Sequence, residues 1–346
     1  MQINKIQLED ALLKINAKEW CVIDARSEDE FLHAHLPKSI NIPLLNNNER
    51  KIVGTLYKGK GRQAAVLKGL EMVGPRFDKI ISIIIKEANG KAVIIYCWRG
   101  GMRSQILAWL CGLAGLKVLV IDGGYKSYRR WCMGYLNRQL QLNVLGGATG
   151  SGKTKILNQL KPYVQVLDLE ALASHRGSAF GSLGQGEQPS NEAFENSIAF
   201  QLFKFDLSKI IWVENESRLI GRVKIPDSLY NQLVNAPLLR LKVNKFDRIQ
   251  NIIDDYGSFS IDELILCTKK LDKRMGGYDN ARAIALLETG DKRGWVELML
   301  DYYDKQYEYS LTTQNHVKVC EIEYNASEIN HFDINTNKIT SFFKTF

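Results

Sequence analysis

The chain has 346 residues, 45% of them apolar and 24% charged, close to the globular average. That length exceeds one ordinary core and suits two domains. The longest apolar runs, Ile80–Ile85 and Val93–Tyr96, fall far short of the ~20 residues a bilayer span needs, which argues against a membrane protein. A formal charge of +8 favours an acidic partner such as nucleic acid without requiring one.

The start, Met1–Asp10, has neither the basic-then-apolar order of a signal peptide nor an Arg/Ser-rich transit pattern. The six cysteines, Cys21, Cys97, Cys111, Cys132, Cys267 and Cys320, contain no CxxC pair and no short Cys/His spacing. Neither a structural zinc site nor a disulfide framework is expected, and a reducing cytoplasm fits. In chain order, Trp20–Ala25 predicts a buried strand, Ser27–Glu30 a helix start, and Ile40–Leu44 a short strand after His35-Leu36-Pro37. A second strand, Ala92–Cys97, runs into the glycine-bearing loop Cys97–Ser104 and a helix over Gln105–Ala114. A third, Lys117–Ile121, ends at Asp122-Gly123-Gly124. Strands alternating with helices predict an α/β fold with a largely parallel sheet, whose ligands gather at the carboxyl ends of the strands.

Tyr125–Arg138 is basic and aromatic, and a new strand follows it, so the domain boundary is placed near residue 138, giving domains 1–138 and 139–346. The second repeats the α/β rhythm with strands at Leu142–Gly146, Val164–Asp168, Ile210–Glu214 and Leu238–Val243. From Asp247 onward the pattern is helical. Between them, His175–Asn191 is rich in Gly and Ser and reads as an ordered functional loop or a mobile lid.

Two loops carry chemistry. Cys97-Trp98-Arg99-Gly100-Gly101-Met102-Arg103-Ser104 lies between an apolar strand and an apolar helix, so its amides can turn inward near a helix N-terminus and favour a thiolate or an anion. Arg103 adds a charged fork, and the implied chemistry is nucleophilic attack by the Cys97 sulfur. Without that context a single cysteine at a strand end is more often a buried structural residue. The second loop, Gly147-Ala148-Thr149-Gly150-Ser151-Gly152-Lys153-Thr154, fits G-x-x-x-x-G-K-[ST] after a strand and before a helix. Its amides are expected to wrap a diphosphate with Gly147, Gly150, Ser151 and Gly152, Lys153 to neutralise it, and Thr154 to be placed for Mg²⁺. Glu214 and Glu216 are candidate acids at a strand end. A regular strand would point them to opposite faces, and which one acts the sequence leaves open.

The first half resembles the rhodanese family in Asp24-Ala25-Arg26, Glu30-Phe31, the His35–Pro43 segment and the Cys97 loop. That resemblance implies a cysteine that carries sulfur as a persulfide. It departs at one place: five residues separate Cys97 from Arg103, where ordinary sulfurtransferases of the family have four, suggesting a larger anion. Phosphatases on the same fold use the five-residue spacing, although protein phosphatases usually have His where Tyr96 stands.

The order of the two modules, together with His175–Gly181, Gln188-Pro189-Ser190, Phe194-Glu195, Glu214–Gly221, Tyr125–Arg130, Lys273–Gly277 and Tyr302-Tyr303-Asp304, resembles the tRNA 2-selenouridine synthase family over essentially the whole chain. The resemblance implies exchange of sulfur for selenium at wobble 2-thiouridine in two steps. The thiocarbonyl sulfur is alkylated with geranyl diphosphate; selenophosphate then supplies selenium, taken up by Cys97 as a selenopersulfide, and geranyl thiol departs. It also implies an upstream enzyme that makes selenophosphate. Lys126, Arg129 and Arg130 are candidate tRNA phosphate contacts, Tyr128 or Trp131 a stacking platform, and His175 and Arg176 further substrate contacts. A solvated interdomain helix with a buried Trp fits the basic stretch equally well. Competing readings are a P-loop ATPase or kinase, or an ATP-dependent RNA sulfurtransferase, with a regulatory or phosphatase-like first domain.

Overall fold

The structure is a computed structural model that describes residues 3–312 and 314–324; the end of the second predicted domain, from residue 325, lies outside the described residues. Contacts divide the chain into two units. The first is Met1–Tyr135 with Pro189–Phe200, and the second is Leu136–Gln188 with Gln201–Phe346.

The first unit is built on a parallel sheet of five strands: β1 (Lys5–Ile6), β2 (Trp20–Asp24), β3 (Ser39–Asn41), β4 (Ala92–Tyr96) and β5 (Val118–Ile121), in the order β1-β5-β4-β2-β3. Central β4 reads AVIIY, and Val93 to Tyr96 are wholly buried, as a strand covered on both faces requires. Its helices are α1 (Leu8–Asn16), α2 (Glu28–His33), α3 (Asn47–Val73), α4 (Phe77–Ala88), α5 (Met102–Leu113) and α6 (Gly124–Leu136).

The pattern gave no sign of α3. Asn46 and Glu49 start it with a reciprocal capping box at 2.9 and 3.0 Å, and Gly61, at φ 83°, breaks its helical course. On α4, Ile80, Ile84 and Ala88 recur every fourth residue and form the buried stripe. The expected strand Ile40–Leu44 begins and ends earlier, at Ser39–Asn41, although the amides of Ile42 and Leu44 still donate to the carbonyls of Asp24 and Ala25 at 3.0 and 3.4 Å.

The second unit contains β6 (Leu142–Gly147), α7 (Lys153–Leu160), β7 (Gln165–Leu167), α8 (Leu169–Ala173), α9 (Asn191–Phe203, shared with the first unit), β8 (Ile211–Glu214) and the antiparallel hairpin β9 (Leu219–Ile220) and β10 (Val223–Lys224). There follow α10 (Asp227–Leu233), β11 (Leu238–Val243), the helices α11 (Lys245–Tyr256), α12 (Ile261–Lys269), α13 (Asp272–Met275), α14 (Gly277–Glu288) and α15 (Lys292–Thr312), and β12 (Val319–Tyr324). Its sheet is parallel in the order β12-β11-β6-β8-β7. Among the described residues the helices of the last third are therefore followed by a further strand.

Each unit thus presents one strand end with a functional loop: β4 presents Cys97, and β6 presents the glycine loop. Pro189–Phe200, assigned to the second domain from sequence, makes its contacts within the first unit. There Ser190 Oγ donates to the His33 carbonyl, and Arg129 Nη1 reaches Asn196 Oδ1 at 3.0 Å.

Candidate functional site

In the first unit, Cys97 is 3% exposed, and its Sγ lies 3.2 Å from Ser104 Oγ. The Ser104 hydroxyl is also 3.0 Å from the Gly101 carbonyl. The loop is braced by the start of α6, where the amides of Tyr125 and Lys126 donate to the carbonyls of Cys97 and Trp98 at 2.8 and 2.9 Å. Gly124 makes this approach feasible: at φ +57° it has no Cβ, and one placed there would sit 2.2 Å from the Cys97 carbonyl oxygen.

Arg103 forms a two-pronged ion pair with Glu30, Nη1 to Oε2 at 2.6 Å and Nη2 to Oε1 at 3.3 Å. Burial alone would raise Glu30. The hydrogen bond and charge of Arg103, the Ser27 amide and Arg50 outweigh it and hold the carboxyl down at about 2.

Beneath the loop, Asp24 and Arg26 form a buried pair at 2.7 Å; Arg26 also donates to the Ala34 carbonyl and stacks 3.9 Å over the Tyr125 ring. This pair holds the scaffold. Tyr96 is buried as well, and its hydroxyl accepts from the Leu36 amide at 3.1 Å and meets Ser39 Oγ at 2.9 Å. The position where phosphatases usually carry His is therefore an anchor for the loop that enters β3.

Arg103 and Trp98 line a polar cleft of about 630 Å³ with Arg26, Asp29, Arg50 and Lys51. Arg103 also borders an apolar cavity of about 110 Å³ formed by Val53, Tyr57, Val73, Phe77, Met102 and Ile106. Among the other thiols, burial pushes Cys111 and Cys132 up to about 12, in keeping with an inert structural role.

In the second unit, Gly147, Gly150 and Gly152 all have positive φ. A Cβ on Gly150 would meet the Arg248 carbonyl oxygen at 2.7 Å, so the turn closes only with glycine. Lys153 Nζ donates to the Gly147 carbonyl at 2.8 Å, and Thr154 Oγ1 donates to Glu214 Oε2 at 3.0 Å. From α11, Arg248 donates to the Thr149 carbonyl and Asn251 to the Gly150 carbonyl, both at 2.8 Å, while Asp304 on α15 pairs with Arg248 at 2.5 Å. Asp304 of the Tyr302-Tyr303-Asp304 segment thus supports the glycine loop through Arg248. Ser151 stands apart from the other loop residues. It is buried, its hydroxyl has no hydrogen-bond partner among the described residues, and with Ala148 it lines a separate cleft bordered by Arg240 and Arg248.

Glu214 and Glu216 do share a site. β8 ends at Glu214, so strand alternation no longer governs Glu216, and carboxylate oxygens of Glu170, Glu214 and Glu216 lie within 4.8 Å of one another. Burial, then the Glu214 charge, pushes Glu170 up to about 8; Lys153 opposes this. Burial, then Glu170 and Glu214, drives Glu216 well above the usual carboxylate range. Glu214 is raised by burial too, against the pull of Lys153 and Thr154.

These groups open onto a cavity of about 440 Å³. Its lining includes Gly147, Gly150, Gly152, Lys153 and Thr154 of the glycine loop and the apolar or aromatic residues Phe180, Tyr256, Trp295, Met299, Leu300 and Tyr303. Arg176 also lines it, 5.7 Å over the Tyr256 ring. His175 is buried against Gly181, with Nδ1 lacking a hydrogen-bond partner among the described residues. The His175–Asn191 region is pinned by Gln188, whose side-chain amide reaches the carbonyls of Ala173 and Ile220 at 3.1 and 3.0 Å.

The basic stretch on α6 divides sharply. Lys126 and Arg130 are exposed, whereas Arg129 pairs with Glu195 and Glu192. Tyr128 is wholly buried, with its hydroxyl donating to the Asn196 carbonyl, so it offers no face for a base. Trp131 is half-buried between Tyr128 and Tyr135.

Sequence reasoning missed Glu170, which stands at the start of α8 behind the Asp168 cap, and the exposed run Tyr57–Gln63 on α3. That run carries Lys58, Lys60 and Arg62 with no acid, a charge signal that could have been read.

A buried cysteine in the loop at the end of a parallel strand, and in a second unit a G-x-x-x-x-G-K-T loop between a strand and a helix, are the marks of a rhodanese-like module joined to a P-loop module. The family models say the same: a rhodanese-like domain matches residues 7–130, and the tRNA 2-selenouridine synthase AAA domain matches residues 140–335. A tRNA 2-selenouridine synthase from Pseudomonas savastanoi pv. phaseolicola is 34% identical over 350 aligned residues, covering 90% of this chain and 93% of that protein. One from Shewanella pealeana is 32% identical, covering 90% and 94%, and one from Nitrosomonas europaea is 39% identical, covering 68% and 63%. The chain belongs to the tRNA 2-selenouridine synthase family.

Proposed function

We propose that this protein replaces sulfur by selenium at the wobble 2-thiouridine of tRNA, with geranyl diphosphate and selenophosphate as co-substrates. The observation that carries the reading is the mixed lining of the second unit's cavity, which combines the glycine loop and Lys153 with apolar and aromatic side chains. A prenyl diphosphate has the same two-part chemistry. In the first step the thiocarbonyl sulfur attacks the carbon bearing the diphosphate. The carbon–oxygen bond breaks, diphosphate leaves with the electron pair, and the base loses its N3 proton. Lys153 and the loop amides stabilise the leaving charge, which needs no ATP hydrolysis.

The all-oxygen donor set of Thr154 and Glu214, with Glu170 and Glu216 beside them, suits a hard cation such as Mg²⁺. Such an ion would supply electrostatic neutralisation of the diphosphate.

In the second step the Cys97 and Arg103 loop handles selenophosphate, selenium takes the place of sulfur at C2, and geranyl thiol leaves. The apolar cavity beside Met102 and Arg103 supports a prenylated base at this loop. Lys126, Arg130 and the Lys58–Arg62 run supply phosphate contacts for tRNA. The reaction is assigned to the cytoplasm and needs an upstream enzyme that makes selenophosphate.

A nucleotide is the second reading, favoured by the aromatic wall, which can stack a purine. The test is incubation with 2-thiouridine tRNA, geranyl diphosphate and selenophosphate, followed by nucleoside mass spectrometry. S-geranyl and selenium-containing nucleosides are expected without ATP. A strict ATP requirement would favour the second reading.

A further inference from the structure

We propose that Cys97 attacks the phosphorus of selenophosphate, not its selenium, forming a phosphocysteine and releasing hydroselenide beside the base. This rests on selenophosphate being the donor, and it replaces the selenopersulfide that the rhodanese likeness implied.

Three observations on the loop point this way. Five residues separate Cys97 from Arg103, enough backbone to surround a tetrahedral phosphoryl group. Ser104, directly after the arginine, sets its hydroxyl 3.2 Å from the cysteine sulfur, where it can stabilise the thiolate as it attacks and again as it departs. Arg103 is fixed by Glu30 and, with Trp98, the residue that follows the cysteine, lines a polar cleft of about 630 Å³.

Electron counting separates the two routes. A thiolate that takes selenium from phosphorus leaves the bonding pair on phosphorus, which drops to the phosphite level. The selenopersulfide must afterwards be reduced by two electrons before selenium can remain on carbon as a selenocarbonyl. Attack at phosphorus needs neither reductant nor oxidant. The Cys97 sulfur forms a bond to phosphorus, the phosphorus–selenium bond breaks, and HSe⁻ leaves with the pair. HSe⁻ adds to C2 of the S-geranyl base and passes its proton to N3. The C2–sulfur bond breaks, and geranyl thiolate departs and takes a proton from water. Water then attacks the phosphocysteine, giving inorganic phosphate and the free thiolate. The loop should also hydrolyse small aryl phosphates slowly, a phosphatase activity that makes the same intermediate.

The test is rapid quench of the full-length protein with S-geranyl tRNA and selenophosphate labelled on phosphorus in one arm and on selenium in the other. The two adducts have nearly equal masses, so the label has to discriminate them. The expected result is phosphorus on Cys97, lost in Cys97→Ser, together with formation of selenouridine. In Ser104→Ala, breakdown of the phosphoenzyme should slow by roughly 10- to 100-fold, because the departing thiolate loses a hydrogen bond, so the adduct accumulates. Selenium on Cys97, or selenation with neither label on the protein, overturns the intermediate alone. Failure of the unaltered protein to selenate supplied S-geranyl tRNA overturns the donor assignment and the intermediate with it.

Discussion

The two loops have the same construction, a parallel strand running through a tight turn into a helix, yet opposite electrostatic surroundings. Around Cys97, Arg103 and Arg50 converge on one carboxylate, Glu30, and the guanidinium of Arg103 is already balanced before any anion arrives. Around Gly147, one lysine faces three carboxylates whose pKa values are all raised. The first arrangement suits an anion that is bound, cleaved and released by a nucleophile. In the second, the acids would repel a diphosphate unless a cation or protons stood between them. The difference fits the proposed division, a nucleophile in one unit and a charge-managed grip in the other.

The comparison can be broken in five places, the largest effect first. Cys97→Ser should abolish selenation, by ~10³-fold or more, while changing geranylation less than about twofold, as read by nucleoside mass spectrometry. Lys153→Ala should slow geranylation by ~10²–10³-fold through loss of charge stabilisation at the leaving diphosphate, measured by single-turnover kinetics. Chelation of divalent cations should weaken diphosphate binding about tenfold or more by calorimetry, whereas unchanged affinity would leave the acids without their assigned role.

Glu30→Gln should slow selenation about tenfold by loosening Arg103. It should also alter the pH dependence of stability in a defined direction. The folded-state pKa of Glu30 lies near 2, below its ordinary value of about 4.3, so its contribution is fully present above that ordinary value and is lost as pH falls through about 2. Denaturant titrations between neutral and acid pH should therefore show a flatter acid limb in the variant. Smallest, replacing Lys58, Lys60 and Arg62 together by Ala should weaken tRNA binding several-fold at moderate salt and reduce the slope of log affinity against log salt by about 2.

How much of this the sequence displays depends on the range of the interactions involved. The strand ends at Tyr96 and Gly147 were legible because apolar runs stopping at glycine-bearing loops are local patterns. Glu170 was not, since only the packing of α8 against the end of β8 brings it to Glu214 and Glu216. The same holds for Glu30 as the partner of Arg103, a contact across 73 residues of chain. Tyr128 misled for the opposite reason. An aromatic among arginines reads as a stacking surface, but the returning segment Pro189–Phe200 covers it, and no local pattern announces that return. The α3 helix escaped because Gly54, Gly59 and Gly61 blur its period, while the capping box at Asn46 and Glu49 was there to be read.

The central claim is that the two loops perform separable steps. Its most direct test gives the Lys153→Ala protein 2-thiouridine tRNA with geranyl diphosphate and selenophosphate and, separately, S-geranyl tRNA with selenophosphate alone. Selenouridine should be nearly absent from the first reaction and form at the unaltered rate in the second. Equal loss in both would contradict the division of labour between Cys97 and the Gly147 loop.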